Sequence, residues 1–125
     1  MTAAEYRMLM QRKNKDANSK FQNQWTEIDG HKFQSIAEGK YYGRLKMRLK
    51  AKEIRSFEMQ KTYKIFIDGV LITTYRADFV IQENDGTFTV VDVKSEATEA
   101  MEVFQIKRKL MFAVLGIKIV VAKQK

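Results

Sequence analysis

Tyr75-Arg76-Ala77-Asp78-Phe79-Val80-Ile81, the turn Glu83-Asn84-Asp85-Gly86, and Thr87-Phe88-Thr89-Val90-Val91-Asp92-Val93-Lys94 form the stretch on which the fold of this chain turns. Two runs rich in β-branched and aromatic residues on either side of an Asn-Asp-Gly turn read as a β-hairpin. A type I turn followed by a glycine in the left-handed region makes a three-residue loop, which pairs Glu83 with Thr87. Counting equally back and on from that pair sets Asp78 opposite Asp92, with both side chains on one face of the sheet. Lys94, two residues beyond Asp92, shares that face.

Facing carboxylates repel by roughly 0.2–1 kcal/mol even when exposed, and by more when buried, so something positive is expected between them. A divalent cation answers that need. Asp78 and Asp92 would ligate Mg²⁺, with Mn²⁺ able to substitute, helped by the backbone carbonyl of Val93 and by water. The ion would polarise a scissile phosphate and lower the pKa of a bound water. Lys94 would orient or deprotonate that water and stabilise charge on a pentacovalent phosphorane. An isolated Asp-x-Lys in a strand is more often a surface pair than a catalytic site. Here it is joined by the facing Asp78, by the apolar flank of Val90, Val91 and Val93, and by a carboxylate on a preceding helix.

That helix starts at Ser35, three residues before Glu38, the spacing of a capping box. Tyr42, Leu45 and Leu49 continue from Glu38 along one helical stripe, so the carboxylate lies in line with core positions, although a capping glutamate needs no further function. Lys40, Arg44, Lys46, Arg48, Lys50 and Lys52 cover the other faces. Between this helix and the hairpin, Ile54–Phe66 reads as a strand leading through Asp68-Gly69 into a second strand, Val70–Ile81. Downstream, Thr98–Leu115 has helical spacing, with Met101, Phe104, Met111 and Phe112 assigned to the core and Gly116 as stop signal. Ile117–Ala122 reads as a short final strand. Upstream, Trp25–Phe33 reads as two extended pieces about Asp29-Gly30, with Trp25 packing.

The expected fold is a single α/β domain over residues 25–125, a central mixed β-sheet flanked by helices in the order α-β-β-β-α-β. A basic N-terminal arm, residues 1–24, precedes it. At 125 residues there is room for one domain with a real core, hence for one site per chain. With no cysteine, thiolate zinc sites and cysteine nucleophiles are excluded, and the single histidine, His31, argues against a multi-histidine metal centre. Any metal should be a hard cation on oxygen ligands.

The net charge of +8 is unevenly spread: Lys40–Lys64 holds nine basic and two acidic residues, and Gln105–Lys125 six basic residues and no acid. One-sided stretches of this kind attract polyanions, which favours nucleic acid as partner. Lys20 in the arm, Arg44 on the first helix, and Lys107, Arg108 and Lys109 on the second are candidate DNA contacts, each of them equally at home on a solvated helix face. No apolar run is long enough to span a bilayer or serve as a secretory signal, so no membrane partner and a cytoplasmic location are expected.

Tyr75–Val80 followed by Val90-Val91-Asp92-Val93-Lys94 resembles the split motif of the PD-(D/E)XK nuclease superfamily, and the element order resembles that superfamily's restriction-endonuclease-like core. Ala77 stands where the usual proline would be, and Asp92 fills the Asp-or-Glu position. Lys20–Lys40, with Thr26–Gly30, Lys32-Phe33 and Ser35-x-x-Glu38, together with Phe104–Phe112, looks like a family of phage nucleases that contains Holliday-junction resolvases, a likeness over residues 18–120. The resemblance implies a Mg²⁺-dependent endonuclease acting on four-way or other branched DNA, in the host cytoplasm if phage-encoded. It implies that Glu38 completes the metal site, and that the protein is a homodimer, since two opposed strands need two symmetric incisions. Three alternatives stay open on the residues alone: a nuclease of the same superfamily acting on linear DNA, a non-catalytic basic nucleic-acid-binding module, and an inactive interaction factor. Metal dependence discriminates between nuclease and module.

Overall fold

The turn that fixes the hairpin forms as its residues dictate. The Glu83 N–H donates to the Thr87 carbonyl at 2.8 Å and the Gly86 N–H to the Glu83 carbonyl at 3.0 Å, while Gly86 takes φ 90°, a conformation open to glycine without strain. The Asp85 carboxylate accepts from the Thr87 amide at 2.9 Å and from its hydroxyl at 2.6 Å, which closes the loop. These bonds hold the Asp85 carboxyl below its ordinary pKa.

In the computed structural model, residues 2–4 and 25–123 are described. They divide between two compact units, Met1–Gly39 and Lys40–Lys125. Apart from Thr2–Ala4, the basic arm, Lys20 included, lies outside the described residues. The elements in chain order are β1 (Thr26–Ile28), β2 (His31–Phe33), α1 (Ile36–Lys50), β3 (Ile54–Ile67), β4 (Val70–Glu83), β5 (Phe88–Lys94), α2 (Glu96–Glu99), α3 (Glu102–Leu115) and β6 (Ile119–Lys123). The expected α-β-β-β-α-β order runs from α1 to β6.

In the first unit, β1 and β2 form a hairpin about Asp29 and Gly30, which take φ 53° and 79°. Trp25 is 61% exposed, so the packing role expected of it is not found: it flanks the hairpin, lining a surface hollow with Thr26, Glu27 and Lys32. The first turn of α1 approaches β1 so closely that a Cβ on Gly39 would lie 3.1 Å from the Ile28 side chain and 3.3 Å from that of Thr26. Ser35 caps this turn, its Oγ accepting from the Glu38 amide at 3.1 Å.

The second unit is built on the sheet β3-β4-β5-β6, antiparallel between β3, β4 and β5 and parallel between β5 and β6. Antiparallel neighbours are joined by tight turns, whereas the parallel pair needs a crossover, which α3 supplies. Tyr41 and Tyr42 of α1 meet the rings of Phe79 and Phe57 at centroid distances of 5.2 and 5.9 Å. Tyr42 and Leu45 are buried, but Leu49, on the same stripe, is 39% exposed. The other layer is an apolar cluster of Ile65, Tyr75, Ala77, Val80, Val90 and Ile119 closed by Phe104 and Met111 of α3.

Two expectations about α3 need correction. The helical stretch is not continuous from Thr98: Ser95 and Thr98 cap each other's amides, at 3.2 and 2.9 Å, to give the one-turn α2. The chain then turns extended at Met101, ψ 135°, before α3 begins at Glu102. Nor are Met101 and Phe112 in the core, since they are 58% and 63% exposed. Of the positions assigned inward, only Phe104 and Met111 point to the sheet. They lie seven apart, two turns of one stripe, which Phe112 leaves by one residue.

Met111 is fully buried, so Met111→Ala should lower the unfolding free energy by about 2–5 kcal/mol in urea denaturation. Val103→Ala, at a 62% exposed position on the same helix, should stay within about 0.5 kcal/mol of the wild type. Equal effects from the two would contradict this packing of α3.

Candidate active site

The β4–β5 ladder ends at the pair Phe79↔Val91, and one further step in the same register sets Asp78 level with Asp92. The strands part there. The Val93 amide, without a carbonyl across the ladder, donates instead to the Asp78 carboxylate at 2.8 Å. Asp78 is thereby anchored to the backbone beside Asp92 and is half-buried.

Asp92 is 3% exposed, the one charged side chain fully buried among the described residues. Burying a carboxylate is expensive unless its oxygens are satisfied, and both have partners here. The Tyr75 hydroxyl donates to Oδ2 at 2.7 Å, and the Lys94 ammonium stands 3.8 Å from Oδ1. Burial, with the Asp92 and Asp78 carboxylates nearby, pushes the Tyr75 phenol far above its ordinary pKa, so it remains a hydrogen-bond donor throughout the working range. The Lys94 nitrogen also lies 5.0 Å from the centre of the Phe104 ring, so α3 backs this lysine with an aromatic face.

A cleft of about 340 Å³ opens over Asp92. Tyr75, Arg76, Asp92 and Lys94 form its strand side, and Thr98, Met101, Val103, Phe104 and Lys107 its helix side. Three cations therefore border a concavity with a carboxylate on its floor. Of the candidate DNA contacts, Lys107 lines this cleft, whereas Arg44 lines a separate hollow of about 390 Å³ with Met47, Arg48, Ala51 and Glu53. Lys109 is exposed on α3. Arg108, also a candidate contact, pairs with Glu99 at 3.5 Å, and Lys123 pairs with the same carboxylate.

Of the four residues singled out from the sequence, Asp78, Asp92 and Lys94 stand together in the second unit. Glu38 belongs to the first unit and is half-buried. Among the described residues no group of three or more acidic or histidine side chains gathers as a metal site.

Tyr75 and Arg76 carry no role in the sequence-based site. Strict alternation along β4 puts Tyr75 on the face opposite Asp78, yet its hydroxyl reaches Asp92. The alternation changes phase: Tyr75, Ala77 and Val80 join the cluster under α3, while Phe79 between them meets Tyr41 and Phe57. At this level of the partner strand, between the pairs Met59↔Phe79 and Lys61↔Ala77, Gln60 takes φ 56°. A left-handed residue inside a strand twists the hairpin locally, and neither tyrosine spacing nor turn chemistry signals it in advance.

Residues 18–118 match a family described as "Protein of unknown function (DUF1064)". No curated protein and no solved structure matches the chain. No helix among the described residues is long and apolar enough to cross a membrane.

Proposed function

The chain belongs to the DUF1064 family of unknown function, and from that premise we propose that it is a metal-dependent endonuclease hydrolysing phosphodiester bonds in branched DNA, acting as a homodimer on four-way junctions. The element order and mixed sheet are compatible with the PD-(D/E)XK nuclease topology. The observation that carries the proposal is the buried Asp92, level with Asp78 across the hairpin, 3.8 Å from Lys94, on the floor of a cleft bordered by Arg76 and Lys107.

The donor set suits a hard cation. It consists of oxygens only, and Asp92 Oδ1 already faces a positive charge in the Lys94 ammonium. Asp78 and Asp92, with the Val93 carbonyl and water, would hold Mg²⁺. When bound, the ion supplies a Lewis acid for the phosphate and an activated water. The chain's own groups do the rest. Arg76 and Lys107 take phosphate oxygens on either side of the scissile bond, fixing the strand in the cleft. Lys94 donates to the non-bridging oxygen on which charge builds as water attacks phosphorus and the P–O bond to the leaving oxygen breaks. The Phe104 ring behind Lys94 limits the water around that ammonium and keeps its field strong at the reacting phosphate.

Junction preference and the paired subunit follow from the likeness to phage resolvases, together with the need for two symmetric cuts from chains that carry one site each. The competing view is a basic DNA-binding module in which Asp92 serves only Tyr75 and Lys94. Labelled four-way junction and linear duplex of the same sequence, incubated with the protein in Mg²⁺ or EDTA, separate these. Paired, Mg²⁺-dependent nicks confined to the junction are expected. Equal cutting of both DNAs would make it a general nuclease, and tight binding without cutting in either buffer would leave the binding module.

A further inference from the structure

The ring of Tyr75 lies in the apolar cluster under α3 with 3% exposure. Its hydroxyl leaves that cluster to donate to Asp92 Oδ2 at 2.7 Å. From this we infer that Tyr75 is a positioning residue: it fixes the rotation of the Asp92 carboxylate so that Oδ1 is presented to the cation while Oδ2 stays engaged.

A carboxylate at the end of one rotatable bond can offer either oxygen, or both, to a cation. The Tyr75 bond removes that freedom on one side, and the tyrosine is itself held by Ile65, Phe104 and their neighbours, so its hydroxyl is a fixed point. Asp78 is fixed in a different way, through the Val93 amide at 2.8 Å. The two carboxylates are thus each tied by one oxygen to a rigid donor, one from the backbone and one from the core. Partners of this kind, hydrogen-bonded to a metal's ligands, orient them and keep a site assembled before the ion arrives. The local twist at Gln60 has a consequence here, since it accompanies the phase change that brings Tyr75 to the Asp92 side.

This inference rests on the endonuclease reading, and the test separates the two. Tyr75→Phe removes one oxygen and keeps the ring in the cluster. Mn²⁺ binding to the free protein, followed by electron paramagnetic resonance, should weaken about 10–100-fold in Tyr75→Phe. A merely structural role would lower the melting temperature and leave the Mn²⁺ dissociation constant within about threefold of wild type, by the same standard; that result overturns the inference while the nuclease stands. A wild type that neither binds Mn²⁺ nor cuts DNA overturns both. A second measurement needs no variant: the Tyr75 hydroxyl proton, buried in a short bond to a carboxylate, should give a slowly exchanging downfield proton resonance. It should persist and shift as Mg²⁺ is added. Its disappearance on Mg²⁺ binding would mean that the ion displaces Tyr75 rather than relying on it.

Discussion

Asp92→Asn should leave a folded protein that still binds branched DNA and no longer cuts it. The amide occupies the same volume, and its oxygen can still accept from the Tyr75 hydroxyl now 2.7 Å away. The NH₂ group would face the Lys94 ammonium, but that side chain is 29% exposed and can turn toward water. Loss of the buried charge also removes a desolvation cost, so the melting temperature should change little. Catalysis has no such compensation. A neutral amide is a poor ligand for Mg²⁺, and the reacting phosphate loses the ion that would offset its developing charge. The cleavage rate should fall on the order of 10³-fold or more, the scale on which removal of preorganised electrostatic stabilisation is felt. DNA affinity, measured by gel shift in Ca²⁺ or EDTA, should stay near wild type because Arg76 and Lys107 are untouched. Undiminished cleavage by this variant would end the proposal, and a parallel loss of binding would mean that Asp92 organises the cleft rather than the chemistry.

The second large effect is expected from Lys94→Met, which keeps an unbranched apolar side chain, one atom shorter, beside Phe104 but deletes the charge. If Lys94 acts on the phosphate as charge builds there, kcat should drop about 10²–10³-fold, while Mn²⁺ binding persists because Asp78 and Asp92 are unchanged. Removing one cation from the interface should reduce the slope of log affinity against log salt by at most about 0.9, a small change beside the loss of rate. A variant whose Mn²⁺ affinity collapsed while kcat at saturating Mn²⁺ recovered would reassign Lys94 to the upkeep of Asp92, whose Oδ1 lies 3.8 Å from it.

Together, the two substitutions would separate the ion-holding role proposed for Asp92 from the phosphate-contacting role proposed for Lys94. They also bear on why a buried carboxylate is kept at this place. Asp92 sits beside Val90 and Val91, both nearly inaccessible, on a strand paired on both sides. An apolar residue there would make a better-packed sheet, so retaining a charge with two dedicated partners is consistent with a function outweighing stability.

What the sequence by itself determined was whatever depends on a few adjacent residues. Asn84-Asp85-Gly86 admits one tight turn, and that turn alone sets Asp78 level with Asp92 by register, because pairing propagates residue by residue along a ladder. Ser35 placed the start of α1, and the alternating and helical periods placed the long strands and α3. The partners of Asp92 were decided only by the tertiary structure. Tyr75 reaches it through a change of phase between Ala77 and Val80, opposite a left-handed Gln60, and period-two alternation along a single strand predicts the contrary. The break at Ala100-Met101 was equally hidden, because apolar spacing runs on through it while the reciprocal Ser95–Thr98 cap ends the first turn. Local hydrogen bonding fixes turns and caps at short range. The twist of a long hairpin is set by what packs on both its faces, and Phe104 and Met111, which bring the β4 side chains under α3, lie well over twenty residues further along the chain.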